Sequence, residues 1–206
     1  MKSAEELFII GIAAILPTYQ LGIGDISTII DNNGNEYLVA SKVKTILNRL
    51  ARIYALDLKQ VRRKYSHVIR QKNIVPIPFS EHFILIPFKI RKPKAENDGS
   101  LGYISLESIY KIEEIKEENN VFIILKSGKR IKCLVSYKTA NRHIQNAHIV
   151  KNHYRELHSQ FCISVQERDI ANPWEQPATK RDIALLASQI AELKRFLNIN
   201  KKIPLS

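Results

Sequence analysis

Gly102-Tyr103-Ile104-Ser105-Leu106 opens a stretch that runs to residue 157 and decides the fold. Residues 108–115 follow, with Ile109 and Ile112 as apolar points among charges, and Glu117-Glu118-Asn119-Asn120 is a polar turn. Residues 121–126 (VFIILK) form a β-branched run, and Ser127-Gly128 is a hairpin turn. Residues 130–135 (RIKCLV) then alternate Ile131, Cys133 and Val135 against Arg130, Lys132 and Leu134. Period-two runs around a glycine-containing turn predict a β-hairpin.

A helix is expected directly after it. At 100° per residue, Ile144, Ala147 and Tyr154 fall within about 40° of Ala140 on either side, with Val150 and Leu157 at the edge of that stripe. Lys138, Asn141, Arg142, Gln145 and Asn152 share the opposite side, and Ile149 lies among them as an apolar exception. From Lys126 to Arg155 there are eight Lys or Arg and no Asp or Glu. Arginine beside Asn and Gln on one helix face can hold phosphates and hydrogen-bond base edges. An ordinary solvated face mixes charge signs.

Upstream, Asp31-Asn32-Asn33-Gly34-Asn35 separates two β-branched runs, 26–30 and 36–39, and predicts a hairpin. Ser41 reads as the cap of an amphipathic helix carrying Val43, Ile46, Leu47, Leu50, Ile53 and Tyr54. Asp57 reads as the cap of a second helix with Leu58, Val61, Tyr65 and Val68. Residues 42–72 hold ten Lys or Arg and a single acid, Asp57. The candidate phosphate contacts here are Arg49, Arg52, Lys59, Arg62, Arg63 and Lys64. Ala51, Ala55 and Val61 match a helix-turn-helix register, although Ala55 stands where the turn favours glycine; two packed helices with basic outer faces are the alternative.

Pro17 is expected to end a buried strand that begins in the apolar run LFIIGIAAIL at residues 7–16. That run is too short to span a bilayer, and Glu5 and Glu6 precede it, so a cytoplasmic chain is expected. Pro76, Pro78 and Pro87 mark edge strands or strand ends. Residues 161–165 read as one more short strand, and the prolines at 173 and 177 as a linker. Ile183, Leu186, Ile190, Leu193 and Leu197 then form a two-heptad seam on a last helix, suited either to docking on its own domain or to self-association.

The 206 residues carry 45% hydrophobic residues, enough for a core, and a net charge of +12, which speaks for a polyanion partner or an anionic membrane surface. Cys133 and Cys162 form no CxxC motif. His143, His148, His153 and His158 recur every five residues, a spacing that turns successive rings to different sides of a helix. These histidines read as surface or interfacial, and neither a metal nor a cofactor is expected. No GxGxxG, Walker A, HExxH or GxSxG motif occurs, and Glu113-Glu114 and Glu117-Glu118 lie in a charged turn, so an enzyme is not expected.

The order of short motifs resembles a known family. Ile15-Leu16-Pro17 precedes a hairpin. A basic helical segment follows, then Ile84-Leu85-Ile86-Pro87 and Gly102-Tyr103-Ile104-Ser105. Gly128-Lys129 lies in a hairpin, and Val135-Ser136-Tyr137 leads into a helix with Asn141 and Gln145. In that order the chain is similar, from about residue 9 to 150, to the competence transcription factor family, ComK. The resemblance implies a bacterial activator that binds AT-rich double-stranded DNA at promoters and assembles from dimers. The family's Gly-Ser-rich turn is replaced here by Ala55-Leu56-Asp57, with Arg62-Arg63 beyond it.

The expected architecture is α+β. It comprises an antiparallel sheet of seven or eight short strands, two basic helices after the first hairpin, one helix after the last hairpin, and a C-terminal helix. A DNA-binding domain is expected over residues 1–160, with linker and helix over 161–206, in a cytoplasmic homodimer or higher oligomer. The alternatives are a LytTR-like DNA-binding domain, an RNA-binding protein using Tyr103, Tyr110 or Phe122, and a membrane-surface or scaffold protein. The three aromatics read better as core.

Overall fold

The computed structural model describes residues 11–96 and 98–168, with side chains through 158, together with Ile183, Leu186, Ala187 and Ile190. The chain divides into two compact units, residues 1–158 and 159–206.

The first unit is α+β and wholly antiparallel. Its strands are β1 (Ile12–Gln20), β2 (Gly24–Asp31), β3 (Glu36–Val39), β4 (Ile77–Ser80), β5 (Phe83–Lys89), β6 (Leu101–Ser105), β7 (Ile109–Ile115), β8 (Asn120–Leu125) and β9 (Arg130–Cys133). Helices α1 (Val43–Ile53) and α2 (Leu58–Val68) separate β3 from β4, and α3 (Tyr137–Arg168) follows β9. The strands divide between a six-stranded sheet, ordered β3-β2-β1-β6-β5-β4, and a three-stranded sheet, β7-β8-β9.

Strand periodicity explains the layering. Along β5, Ile84, Ile86 and Phe88 join one core while Leu85 joins the other. The first core lies between the six-stranded sheet and a cover of β8, β9 and α3, contributed by Ile123, Leu125, Ile131, Cys133, Ala140 and Ala147. The second lies under α1, where Ile46, Leu47 and Leu50 meet Ile15, Ile29 and Leu85. The large sheet is therefore the middle layer, with the basic helices on one face and the small sheet and α3 on the other. A third, smaller cluster joins Tyr65 of α2, Val75 and Val150 of α3. It brings the two basic helical segments of the sequence side by side.

The Asp31 side chain, 1% exposed, organises the β2–β3 turn. Its carboxylate accepts from the backbone N–H groups of Asn33 (2.9 Å) and Asn35 (2.8 Å), the Asn35 amide (2.9 Å) and the Tyr37 hydroxyl (3.1 Å). Burial acts to raise its pKa, but these bonds outweigh it and hold the carboxyl below its ordinary value. Gly34 supplies the left-handed residue, φ +89°, that the Asn-Gly turn requires.

Several expectations change. Pro17 does not end β1, which continues to Gln20. β6 pairs with β1 only at Ala14 and Ile15, so Pro17 lies beyond that ladder, where its missing N–H costs no strand hydrogen bond on that side. Pro87 is tolerated inside β5 in the same way: β4 pairs only as far as Leu85. Ser41 does not cap α1; the cap position is Lys42, with no side-chain bond, while Ser41 uses its carbonyl to accept from Ser27 Oγ at 2.7 Å. Residues 161–165 are not a strand, because α3 continues through Arg168. Tyr103 is core, but Tyr110 is 70% exposed and Phe122 is half-buried under the Arg130 guanidinium. His143 is not a surface residue: it is 4% exposed and packs on Phe88.

Ile183, Leu186 and Ile190 of the seam are helical and exposed. Leu193 and Leu197, and the beginning of the apolar run before residue 11, lie outside the described residues.

Candidate nucleic-acid interface

Folding sorts the cations into two groups. Of the eight Lys and Arg in the acid-free segment from Lys126 to Arg155, four meet acids brought from elsewhere. Lys129 pairs with Glu36 (2.8 Å), Arg130 with Glu113 (2.9 Å), Lys132 with Glu118 (2.5 Å) and Lys151 with Glu107. The carboxyls of Glu107, Glu113 and Glu118 are held below their ordinary values, led in each case by the hydrogen bond from the lysine beside them. A linear count of charges cannot see such partners.

The other basic block is different. Lys42 pairs with Asp25 and Asp98, at 3.7 and 3.9 Å. Its neighbours Lys44, Arg49, Arg52, Lys59, Arg62, Arg63, Lys64, Arg70 and Lys72 are exposed and make no salt bridge among the described residues, and neither does Arg142. Cations without a salt bridge attract polyanions without first losing a carboxylate partner.

The two helices end alike. In α1, Leu56 N–H donates to the Ala51 carbonyl at 2.8 Å, and Ala55 has φ +50°. In α2, Gln71 N–H donates to the Ser66 carbonyl at 3.0 Å, and Arg70 has φ +51°. Both are left-handed C-caps of the kind that glycine usually fills. Asp57 starts α2 by accepting from the N–H groups of Lys59 (2.8 Å) and Gln60 (3.2 Å).

A groove of about 520 Å³ lies between α1 and α2, and its cations are Lys44, Arg52, Lys59 and Arg62. A larger groove, about 1120 Å³, runs between the segment after α2 and the start of α3. Its cations are Arg62, Arg70, Lys72, Lys89 and Arg142, and among the described residues no Asp or Glu lines it. Arg62 lines both grooves and joins them into a basic track whose described lining holds eight Lys or Arg and one acid, Asp57. On the floor of the larger groove, Arg62 Nη2 donates to the Tyr103 hydroxyl at 3.3 Å. Burial raises the Tyr103 pKa, with Arg62 opposing, so the phenol stays neutral.

Of the residues expected from sequence, Arg52, Lys59, Arg62 and Arg142 line this track. Arg49, Arg63, Lys64, Lys138, Asn141, Gln145 and Asn152 are exposed but outside the lining of either groove. Sequence reasoning missed the segment Arg70-Gln71-Lys72-Asn73 and the buried Asn146, whose amide donates to Gln71 Oε1 at 3.0 Å. The cue was present in the charge count of the second block. The amide pair, 75 residues apart, left no local trace.

The model of the ComK protein family matches residues 11–158, and the chain belongs to that family of competence transcription factors. No curated protein and no solved structure matches it. Among the described residues no helix is long and apolar enough to cross a membrane.

Proposed function

We propose that this chain is a sequence-specific DNA-binding transcriptional activator that recognises AT-rich promoter sites through the basic track. One observation carries the reading: two basic segments far apart in sequence converge on a groove whose described lining holds five cations and no acid. Affinity comes mainly from Lys and Arg on phosphates, and release of counterions makes binding steeply salt-dependent. Preference for A·T pairs follows from groove width and from a few Arg, Asn or Gln contacts. The protein acts in the cytoplasm as a homodimer or higher oligomer, with Ile183, Leu186, Ile190, Leu193 and Leu197 as the self-association seam. It is not an enzyme and uses no cofactor.

Selection of bound duplexes from a random pool tests this reading, with single-stranded DNA and RNA as competitors. Enrichment of A/T runs at a fixed spacing supports it. A pool that stays random, or loss of the duplex to RNA at equal concentration, overturns it.

A further inference from the structure

The segment between α2 and β4, residues 69–76, forms part of the larger groove and carries two non-glycine residues in the left-handed region, Arg70 (φ +51°) and Ile74 (φ +57°). Ile74 is the more unusual, because a β-branched side chain is a genuine outlier there. Arg70 occupies a cap that glycine would fill without steric cost. Backbone strain of this kind persists only where the surroundings hold it, and it concentrates at ligand-contacting segments.

The surroundings here are specific. Asn146, 9% exposed on α3, donates to Gln71 Oε1 at 3.0 Å. Gln71 Nε2 in turn donates to the Asn73 carbonyl at 2.5 Å. This two-bond latch fixes the loop backbone from the opposite wall of the groove, while Arg70, Lys72 and Asn73 remain exposed. Arginine, with paired donors, and asparagine, with a donor beside an acceptor, match base edges, and a fixed backbone reduces the ordering cost of presenting them.

We propose that this loop is the base-reading segment of the interface, with Arg70 and Asn73 on base-pair edges, Lys72 on phosphate and Asn146 as the positioning residue that sets their direction. The proposal rests on the duplex-binding reading above and adds where discrimination between sequences arises.

The test compares binding to a selected duplex and to a scrambled duplex of the same length, by fluorescence anisotropy, with thermal melts alongside. Arg70→Gly relieves the cap and removes the reader. It is expected to melt at the same or a higher temperature, yet to lose about tenfold in preference for the selected duplex. Asn146→Ala is expected to lose several-fold on the selected duplex and less than about twofold on the scrambled one. Ile74→Gly, which changes no groove cation, gives the same pattern if the fixed backbone matters and keeps the test open should Asn146→Ala unfold. Full discrimination in Arg70→Gly and Ile74→Gly, or equal losses on both duplexes, overturns the proposal. Failure of the unaltered protein to bind either duplex overturns the DNA reading itself, a distinguishable result.

Discussion

The Arg62 guanidinium donates to the Tyr103 hydroxyl at 3.3 Å and so ties the middle of α2 to the floor of the larger groove. Tyr103 is 7% exposed, whereas Arg62 faces solvent and lines both halves of the track. Arg62 is thus tied to a core residue while its exposed face can meet a phosphate. Arg62→Ala should weaken binding to every duplex and reduce the slope of log affinity against log salt by about one. Tyr103→Phe should leave the slope intact and cost about 1 kcal/mol in affinity or less. Salt titrations by anisotropy separate the two.

Paired and unpaired cations should behave differently. Lys132 is held by Glu118, whereas Lys72 makes no salt bridge among the described residues. Lys72→Ala is expected to reduce the salt slope by about one. Lys132→Ala is expected to leave it unchanged and to alter stability little, because its ion pair is exposed.

Ala55 adopts φ +50° at the end of α1. Ala55→Gly should stabilise the fold by about 0.5–1 kcal/mol, since relief of the left-handed strain exceeds the added entropy of the unfolded chain. Urea denaturation measures this, and duplex affinity should not change.

His143 couples stability to pH. Burial, with the Arg142 charge in second place, lowers its pKa from 6.5 to about 4. Between those values the unfolded chain binds a proton that the folded chain excludes. The stabilising contribution is therefore complete above about pH 6.5 and is lost as pH falls toward 4, by roughly 2 kcal/mol between pH 7 and 5. Urea denaturation at those two pH values should show that loss, and His143→Gln should flatten it.

The C-terminal seam yields a separate outcome. Ile183, Leu186 and Ile190 are exposed, and two heptads of apolar residues are marginal as an isolated helix in water. Removal of residues 178–206 should shift the protein toward monomer in sedimentation velocity and weaken paired sites more than single ones. An unchanged oligomeric state would move the pairing surface elsewhere.

Local signals made the elements legible. The turn residues Asn33-Gly34 and Ser127-Gly128, the cap Asp57 and the stripe through Ala140, Ala147 and Val150 each predict their element, because the interactions responsible lie within a few residues. The division into two sheets was not legible: both faces of the central strands are buried, so β5 reads as one apolar run with no preferred side. Pro76 and Pro78 do mark the start and the body of an edge strand, whereas Pro17 and Pro87 misled for a related reason. Whether a missing N–H is tolerated depends on where the neighbouring strand stops, and only the pairing of β1 with β6 and of β5 with β4 reveals that. In the site, charge counting located the free cations of α1 and α2 but overvalued Lys129, Arg130, Lys132 and Lys151, whose acids come from distant strands and turns.

The most direct measurement compares two charge reversals of equal size in the folded protein. Arg62→Glu with Arg142→Glu reverses two cations of the larger groove, and Lys129→Glu with Lys132→Glu reverses two that are paired elsewhere. Both alter net charge equally, so nonspecific attraction alone predicts equal losses. Duplex affinity at fixed salt should fall by more than about a hundredfold in the first variant and by only a few-fold in the second. Equal losses in the two variants, or a larger loss in the second, would contradict the placement of the interface.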